Sequence, residues 1–366
     1  MDSKEIKDTR SQWLFDPGAL WKTPSIVFSS ISRERELLDR ARGVEFIFRV
    51  GVQLQISLTA MLTAATYFHR FYMRYSFGDF HRVETAGSCI FLSTKIEECG
   101  RKVRDVANIC MSKAQGIPPV PHEEETPELI RWQTKILANE ETLLEALCFD
   151  FFVQHPHALL SDLFERLHKD CDPKDLNEKH FTLQDYAWSI ANDSLRTPLC
   201  ILHSSSTIAA ACFAIAHAIV EEPKHTTLQE RLSECSGLIS SEGNEEASFH
   251  NGNISIIDAV KFFNVQPSEL GDAIVVLLDF YHFQADYIKT TVDGQVEFLD
   301  QILQVAYPSP SSHEVHFYRK NIPGTEPGSQ QLETLKLSSG DGDTPTHLTS
   351  DGGQTPKDSQ AMNGQD

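Results

Sequence analysis

The sequence lacks the short motifs on which most catalytic sites are built. It contains no G-x-x-x-x-G-K-[ST] or G-x-G-x-x-G loop, no H-E-x-x-H pair and no G-x-S-x-G turn. These absences exclude the common phosphate-cradling, zinc-protease and serine-hydrolase sites. Long apolar runs are also missing, because the most apolar windows, 58–71 and 207–220, are too short to span a bilayer.

Metal ligands at useful spacings are equally scarce. None of the eight cysteines forms a C-x-x-C pair, which argues against a structural zinc site. His155-Pro156-His157 has no third ligand nearby, so we interpret Pro156 as a helix start. We expect neither a metal nor a cofactor. The first five residues carry no apolar core, so we expect an intracellular chain with reduced thiols.

Positive charge is in short supply. The 366 residues hold 32 basic and 52 acidic side chains, a formal net charge of −20. This balance argues against a protein that binds nucleic acid by neutralising phosphates, and it favours a partner with a basic face. The length corresponds to two or three domains.

Helical periodicity dominates the remaining pattern. Apolar residues recur at steps of three and four over ten segments, and few stretches show the alternation of a strand. The predicted fold is all-α, with two successive bundles of about five helices. The segments are 33–53, 57–72, 84–98, 103–111, 129–149, 156–167, 183–194, 207–220, 254–263 and 268–287.

The domain boundaries follow changes in composition. An N-terminal extension, 1–30, precedes a first bundle at 31–152 and a second at 153–290. Four prolines make 115–127 a loop, and a soft stretch near 225–253 indicates an insertion in the second bundle. Residues 307–366 are poor in apolar clusters, so we expect a disordered tail.

Several motifs occur in a fixed order along the chain. They are Trp13-Leu14-Phe15, Thr23-Pro24-Ser25, Phe68-His69-Arg70-Phe71-Tyr72-Met73, Ser76-Phe77, Phe91-Leu92-Ser93-Thr94-Lys95-Ile96-Glu97-Glu98, Leu147-Cys148-Phe149-Asp150-Phe151, His155-Pro156, Ala187-Trp188 and Asn192-Asp193-Ser194. Together they resemble one family, the transcriptional cyclins: the cyclin K and cyclin T group and the fungal cyclins of kinases that act on the RNA polymerase II tail. The resemblance covers 13–220 well and 254–290 loosely.

The resemblance implies a cyclin fold of two tandem five-helix cyclin boxes and a non-catalytic role. A protein of this family is the regulatory subunit that binds and activates a cyclin-dependent protein kinase in a heterodimer. The kinase would phosphorylate the RNA polymerase II C-terminal domain and promote transcription elongation. We therefore expect a nuclear protein that is not itself an enzyme and works beside polymerase elongation factors.

The resemblance also assigns candidate kinase-binding residues. Its contacting lysine corresponds to Lys95, and its glutamate to Glu140, with Glu141 as a competing candidate. The neighbouring apolar contacts are Leu92, Ile96, Leu144, Phe149 and Phe151. Taken alone, Lys95 and Glu140 are ordinary charges on helix surfaces, and the two phenylalanines are by default core residues.

Two stretches bear on partner choice. Residues 39–43 are charged where cell-cycle cyclins carry an apolar docking patch, so we expect no docking of Arg-x-Leu substrates. The basic run 101–104 is either a contact for an acidic or phosphorylated segment, part of an import signal, or a solvated helix start, which we favour.

Other readings of the sequence stay open at this point. Ser309, Thr344 and Thr355 precede prolines in the expected tail and match what proline-directed kinases accept. The alternative function is an adaptor like a general transcription factor, with two helical domains bound to DNA and polymerase, which would need a clustered basic face. A helical enzyme lacks any assembled catalytic group.

Overall fold

The structure is a computed structural model that describes residues 12–170, 178–220, 228–239, 254–291 and 297–318. Within these ranges all regular secondary structure is helical, which confirms the all-α prediction. None of the helices in this part of the chain is both long and apolar enough to cross a membrane. The α-helices are α1 (Pro24–Val27), α2 (Arg33–Leu54), α3 (Leu58–Phe71), α4 (Arg82–Ile96), α5 (Val103–Gln115), α6 (Pro127–Ala146), α7 (Pro156–Asp170), α8 (Glu178–Ser194), α9 (Ser205–Val220), α10 (Leu228–Ile239), α11 (Ile256–Phe263), α12 (Pro267–Thr291) and α13 (Glu297–Leu303).

The first bundle consists of α2 to α6. Helix α3 lies at its centre, since every residue from Ala60 to Phe71 is buried, and a helix that is covered on all sides belongs inside a bundle. Helix α4 packs against α2, α3 and α6. These contacts bring the exposed ends of α4 and α6 side by side.

Local sequence sets where these helices begin. The hydroxyls of Ser32, Ser57 and Thr126 each accept a hydrogen bond from a backbone amide in the first turn of α2, α3 and α6, respectively. Pro127 follows Thr126 at the first helical position, where proline's missing amide costs nothing. The predicted loop at 115–127 therefore ends at a capped helix start.

The second bundle is built around α9, which is buried from Thr207 to His217. Helices α7, α8, α11 and α12 pack against it, giving the five-helix arrangement that periodicity predicts. Helix α10 lies within the expected insertion, yet Leu228 and Leu232 are buried in the bundle core. The rest of that insertion, 225–227 and 240–253, lies outside the described residues.

The start of the expected tail needs a correction. Residues 307–318 return to the second bundle, where Val315 and Phe317 are buried in its core. The amide of Ser311 donates to Asp272 Oδ1 at 2.7 Å, and His316 Nδ1 lies 2.7 Å from Asp279 Oδ2. Composition missed this segment because its anchors are separated from their partners by more than thirty residues along the chain. The remainder of the tail, 319–366, lies outside the described residues.

The charged stretch 39–43 is structural. Arg40 is fully buried and donates to Glu36 Oε1 at 2.9 Å, to the His69 carbonyl at 3.1 Å and to the Tyr72 carbonyl at 2.9 Å. His69 Nε2 then lies 2.8 Å from the Leu195 carbonyl in the second bundle. One buried cation thus organises the junction between the bundles.

Two arginines of the basic run 101–104 donate hydrogen bonds to backbone carbonyls. Arg101 donates to the Leu54 and Gln55 carbonyls at the end of α2, at 3.2 and 2.9 Å. Arg104 Nη2 donates to the Pro121 and Glu124 carbonyls of the following loop, at 2.9 and 2.7 Å. These contacts assign both guanidinium groups a structural role.

A close approach of α2 to α3 at Gly43 predicts a destabilising substitution. A Cβ on Gly43 would overlap the ring of Phe68, which is itself fully buried. Alanine gains about 1 kcal/mol of helix propensity, but overpacking costs about 1–3 kcal/mol. We expect Gly43→Ala to lower the free energy of unfolding by up to roughly 2 kcal/mol in urea titrations. Gly100→Ala, where a Cβ meets open space, is the control, and equal losses in the two variants would contradict the close approach.

The junction also predicts a pH dependence of stability. Burial, with the nearby Arg40, lowers the pKa of His69 from 6.5 to about 3. Unfolding therefore takes up a proton between these values, so this contribution to stability is lost as pH falls below about 6.5, by up to about 1.4 kcal/mol per pH unit. His69→Gln keeps a donor for the Leu195 carbonyl and should flatten the pH profile of unfolding by about one proton. An unchanged profile in His69→Gln would refute the assignment.

Candidate functional site

The two charged candidates, Lys95 and Glu140, meet where α4 packs against α6. Lys95 Nζ lies 2.7 Å from Glu140 Oε1 and 2.9 Å from Oε2, although 45 residues separate the two in sequence. Lys95 stands in the last turn of α4, where a cation opposes the negative pole of the helix. The fold therefore assembles a bidentate ion pair at the bundle surface.

The ammonium group of Lys95 is held from two sides. Its Nζ lies 4.0 Å from the centroid of the Phe91 ring, a cation–π distance, while Glu140 holds it from α6. The ammonium group has three donor hydrogens and the carboxylate has about four acceptor positions. After their mutual bonds, each group keeps hydrogen-bonding capacity for a partner.

The alternative carboxylate does not join this pair. Glu140 is mostly buried against α4, whereas the neighbouring Glu141 is exposed on α6. Consecutive helical residues point about 100° apart, so only one of the two can face α4. The geometry selects Glu140 over Glu141 as the ion-pair partner of Lys95.

The apolar candidates divide by exposure. Ile96 is 37 % exposed and Phe149 65 % exposed, so both present apolar area to solvent. Leu144 and Phe151 are half-buried against the first-bundle core. Leu92 differs from its predicted role, since it is only 3 % exposed and lies in that core. A partner would meet Ile96 and Phe149 directly, and Leu92 only through the helix it supports.

The turn after α6 adopts an unusual backbone. Cys148 and Phe149 both have positive φ, 52° and 57°, in the left-handed region that residues with a Cβ rarely occupy. Amides of this turn bond back to the end of α6: Phe149 N lies 3.2 Å from the Leu144 carbonyl, and Asp150 N 2.9 Å from that of Leu147. Such strain, of order 1–3 kcal/mol per residue, persists only where surrounding contacts hold it. Phe149 is exposed because this turn directs its side chain outward.

Helix α3 holds the same turn from inside the molecule. The Tyr67 hydroxyl donates to the Phe151 carbonyl at 2.8 Å, and Arg70 Nη2 donates to the Phe152 carbonyl at 3.2 Å. The sequence motif contains Arg70, but it indicates no role for that residue. Phe152 was also missed; it is 78 % exposed beside the predicted contacts. The signal that could have identified Phe152 from the sequence is its place as the third aromatic residue in the run Phe149-Asp150-Phe151-Phe152.

The two histidines at the start of α7 serve separate contacts. His155 Nε2 lies 3.0 Å from Thr63 Oγ1, and His157 Nε2 lies 3.0 Å from Asn192 Oδ1. Burial lowers the pKa of His155 to about 4, so the ring is neutral at physiological pH. Across the described part of the chain, no three His, Cys, Asp or Glu side chains are grouped to hold a metal ion.

The predicted phosphorylation sites fall in two regions. Ser309 is exposed, and its amide donates to Gln229 Oε1 of α10 at 2.6 Å. Thr344 and Thr355 lie outside the described residues. Ser309 is therefore accessible while the segment around it stays attached to the second bundle.

Comparisons with known proteins agree with this architecture. Residues 22–151 match the family model described as Cyclin, N-terminal domain. Cyclin pch1 of Schizosaccharomyces pombe is 42 % identical over 206 residues, which cover 56 % of this chain and 57 % of that protein. Cyclin-K of Danio rerio is 32 % identical over 211 residues, covering 58 % of this chain and 46 % of that protein. The match thus spans about half the length of the curated relatives.

A solved structure shares the fold. One chain in the crystal structure of the yeast RNA Pol II CTD kinase CTDK-1 complex aligns with a TM-score of 0.50 and 15 % identity. The alignment covers 80 % of this chain and 87 % of that one, so it extends through both bundles. At this identity it supports the fold alone, and that fold agrees with two tandem helical bundles.

Proposed function

We propose that this chain, whose residues 22–151 match the Cyclin, N-terminal domain model, is the regulatory cyclin subunit of a transcriptional cyclin-dependent kinase. The observation that carries the proposal is the Lys95–Glu140 pair between α4 and α6. Ile96, the next residue after Lys95, and Phe149, in the turn that follows α6, are exposed apolar candidates. The candidate residues come from the family resemblance. The similarity to cyclin pch1 and Cyclin-K supports the same assignment.

The surface suits a helix whose position decides kinase activity. A protein kinase is active when a glutamate of its αC helix pairs with the lysine of strand β3, and repositioning αC switches that pair on. Ile96 and Phe149 offer apolar area against such a helix. Lys95 and Glu140 offer a donor and acceptors for backbone groups beside it. Binding would hold αC inward, so the cyclin acts without a catalytic group of its own.

The proposed substrate and compartment rest on the resemblance to transcriptional cyclins. The sequence motifs resemble cyclins of kinases that act on the polymerase II tail, and the yeast complex in which one chain shares the fold is described as an RNA Pol II CTD kinase. We propose that the activated kinase phosphorylates the polymerase II C-terminal domain in the nucleus and promotes elongation, alongside elongation factors.

The adaptor alternative gains no support from the described surface. Binding DNA would need a clustered basic face. The nearest basic run, 101–104, commits Arg101 and Arg104 to backbone carbonyls, and the whole chain carries a net charge of −20. A kinase interface needs only local complementarity, which we assign to the Lys95–Glu140 region.

Charge reversal at the pair tests the proposal. The full chain is co-expressed with a panel of cyclin-dependent kinases that includes the catalytic subunit of the yeast complex, and the member that co-purifies is retained. Lys95→Glu and Glu140→Lys each place like charges together and should reduce co-purification and phosphorylation of recombinant polymerase C-terminal domain by at least tenfold. Helicity by circular dichroism should stay parental, because a part-exposed ion pair contributes only about 0–1 kcal/mol.

A matched control exists on the same two helices. Lys135 of α6 lies 3.6 Å from Glu84 of α4. Glu84 is eleven positions before Lys95 on α4, a distance of about 16 Å along the helix at 1.5 Å per residue. Lys135→Glu should therefore leave kinase binding intact. Equal loss in all three variants, or no loss in any, would overturn the assigned surface. A parental chain that activates no kinase of the panel would count against the function itself.

The Ser-Pro and Thr-Pro sites at 309, 344 and 355 predict modification by the bound kinase. Incubating the purified complex with ATP should phosphorylate Ser309, which is accessible, as well as Thr344 and Thr355. Thr23 and Thr197 also precede prolines, but both are buried, so they should stay unmodified in the folded complex. Mass spectrometry of the intact complex measures all five sites. Absence of phosphate at Ser309, Thr344 and Thr355 would refute the prediction, and modification of Thr197 would indicate unfolding.

A further inference from the structure

The N-terminal extension reaches the turn that presents the apolar candidates. Trp13 is buried against the first bundle, and its indole Nε1 donates to Asp150 Oδ2 at 3.0 Å. Gln12 Nε2 donates to the same oxygen at 2.6 Å. Both donors lie more than 130 residues away from Asp150 in sequence. The extension thus provides two hydrogen bonds to the residue between Phe149 and Phe151.

Arg70 connects Trp13 to the backbone of the same turn. Its guanidinium lies 4.8 Å from the Trp13 ring centroid, in cation–π geometry. Its two terminal nitrogens donate to the Asp150 and Phe152 carbonyls at 3.4 and 3.2 Å. The hydrogen bond from Gln12, together with those from Trp13 and the Phe152 amide, lowers the pKa of Asp150 below its usual range. The carboxylate therefore stays charged and bonded at physiological pH.

The turn depends on such support. Two consecutive left-handed residues, Cys148 and Phe149, are locally unfavourable. Without contacts from outside the turn, the backbone would populate other conformations, and Phe149 would point elsewhere in them. The extension adds contacts to a turn that α3 already holds through Tyr67.

We propose that Trp13 is a positioning residue for kinase binding: by fixing Asp150, it keeps Phe149 and Phe151 in the geometry that the kinase recognises. This inference rests on the proposed function. Its physical content is preorganisation, because apparent affinity falls in proportion to the fraction of molecules that hold the binding-competent turn. Loss of Trp13 should lower that fraction and leave the final contacts unchanged.

The test substitutes one tryptophan at a time. Trp13→Phe keeps an aromatic ring but removes the donor to Asp150. Trp21→Phe is the matched control in the same extension, since Trp21 Nε1 is buried without a hydrogen-bond partner in the described structure and its ring lies under Arg33. Surface plasmon resonance with the kinase retained from the panel gives the association and dissociation rates of each full-length variant.

We expect Trp13→Phe to raise Kd about five- to tenfold, mainly through slower association, because the bound turn is held by the kinase once formed. Trp21→Phe should stay within twofold of the parent. A merely structural Trp13 would lower the urea midpoint but leave both rates of the folded chain unchanged, and that result overturns the inference.

A double substitution tests the route through Asp150. If Trp13 acts through this carboxylate, Asp150→Asn should also raise Kd. The Kd of the double variant should then be no higher than that of the weaker-binding single variant. Fully additive losses would contradict the route. The Lys95→Glu variant separates failure of the positioning role from failure of the proposed function. If Lys95→Glu abolishes kinase binding while Trp13→Phe changes nothing, the function stands and the positioning role fails. If neither changes binding, the proposed surface fails as well.

Discussion

The buried guanidinium of Arg40 is the constraint on which the rest of the structure depends. It is wholly removed from solvent, and its desolvation is offset only because Glu36 and two carbonyls of α3 and its end surround it. Glu36 in turn accepts a hydrogen bond from the Thr23 hydroxyl of the N-terminal extension. His69 hydrogen-bonds the Leu195 carbonyl of the second bundle. Extension, first bundle and second bundle are therefore fixed by one hydrogen-bonded group of side chains. Removing any member would leave a buried charge or dipole without its partner, which costs more than the pair contributes.

Fixing α3 in this way determines where the candidate surface forms. The helix that supplies the carbonyl acceptors of Arg40 also carries Tyr67 and Arg70, and these hold the backbone of Phe151 and Phe152 from inside. The strained turn at Cys148 and Phe149 is thus supported by the most deeply buried helix of the bundle. Exposed aromatic side chains on a rigid backbone lose little entropy on binding, which suits them to recognition. Core packing and surface geometry are consequently set by opposite sides of one helix.

Local signals explain how much was predictable from sequence. Apolar periodicity and prolines placed the helices around α3 and α9 within a few residues, because these signals act over one or two turns. The Lys95–Glu140 pair needed the family resemblance, since nothing near Lys95 or Glu140 distinguishes them from other surface charges. The prediction that 307–318 is disordered was wrong. Ser311 and His316 meet their partners, Asp272 and Asp279, only once α12 has formed and packed. The turn at Phe149 was unpredictable for the same reason, because its left-handed backbone is stabilised by Trp13, Tyr67 and Arg70 from distant parts of the chain.

The overall charge of −20 takes on a different meaning at the candidate surface. There Lys95 is paired with Glu140, and the candidates Ile96 and Phe149 are exposed and apolar. In the proposed complex, affinity would therefore depend on apolar burial and on bonds to preorganised groups more than on an unpaired charge at Lys95. The acidic surplus acts over distances that salt screens within about 10 Å. In the proposed complex, electrostatic attraction would raise the association rate of a basic partner, while the positions of Phe149 and the ion pair would set how long it stays bound.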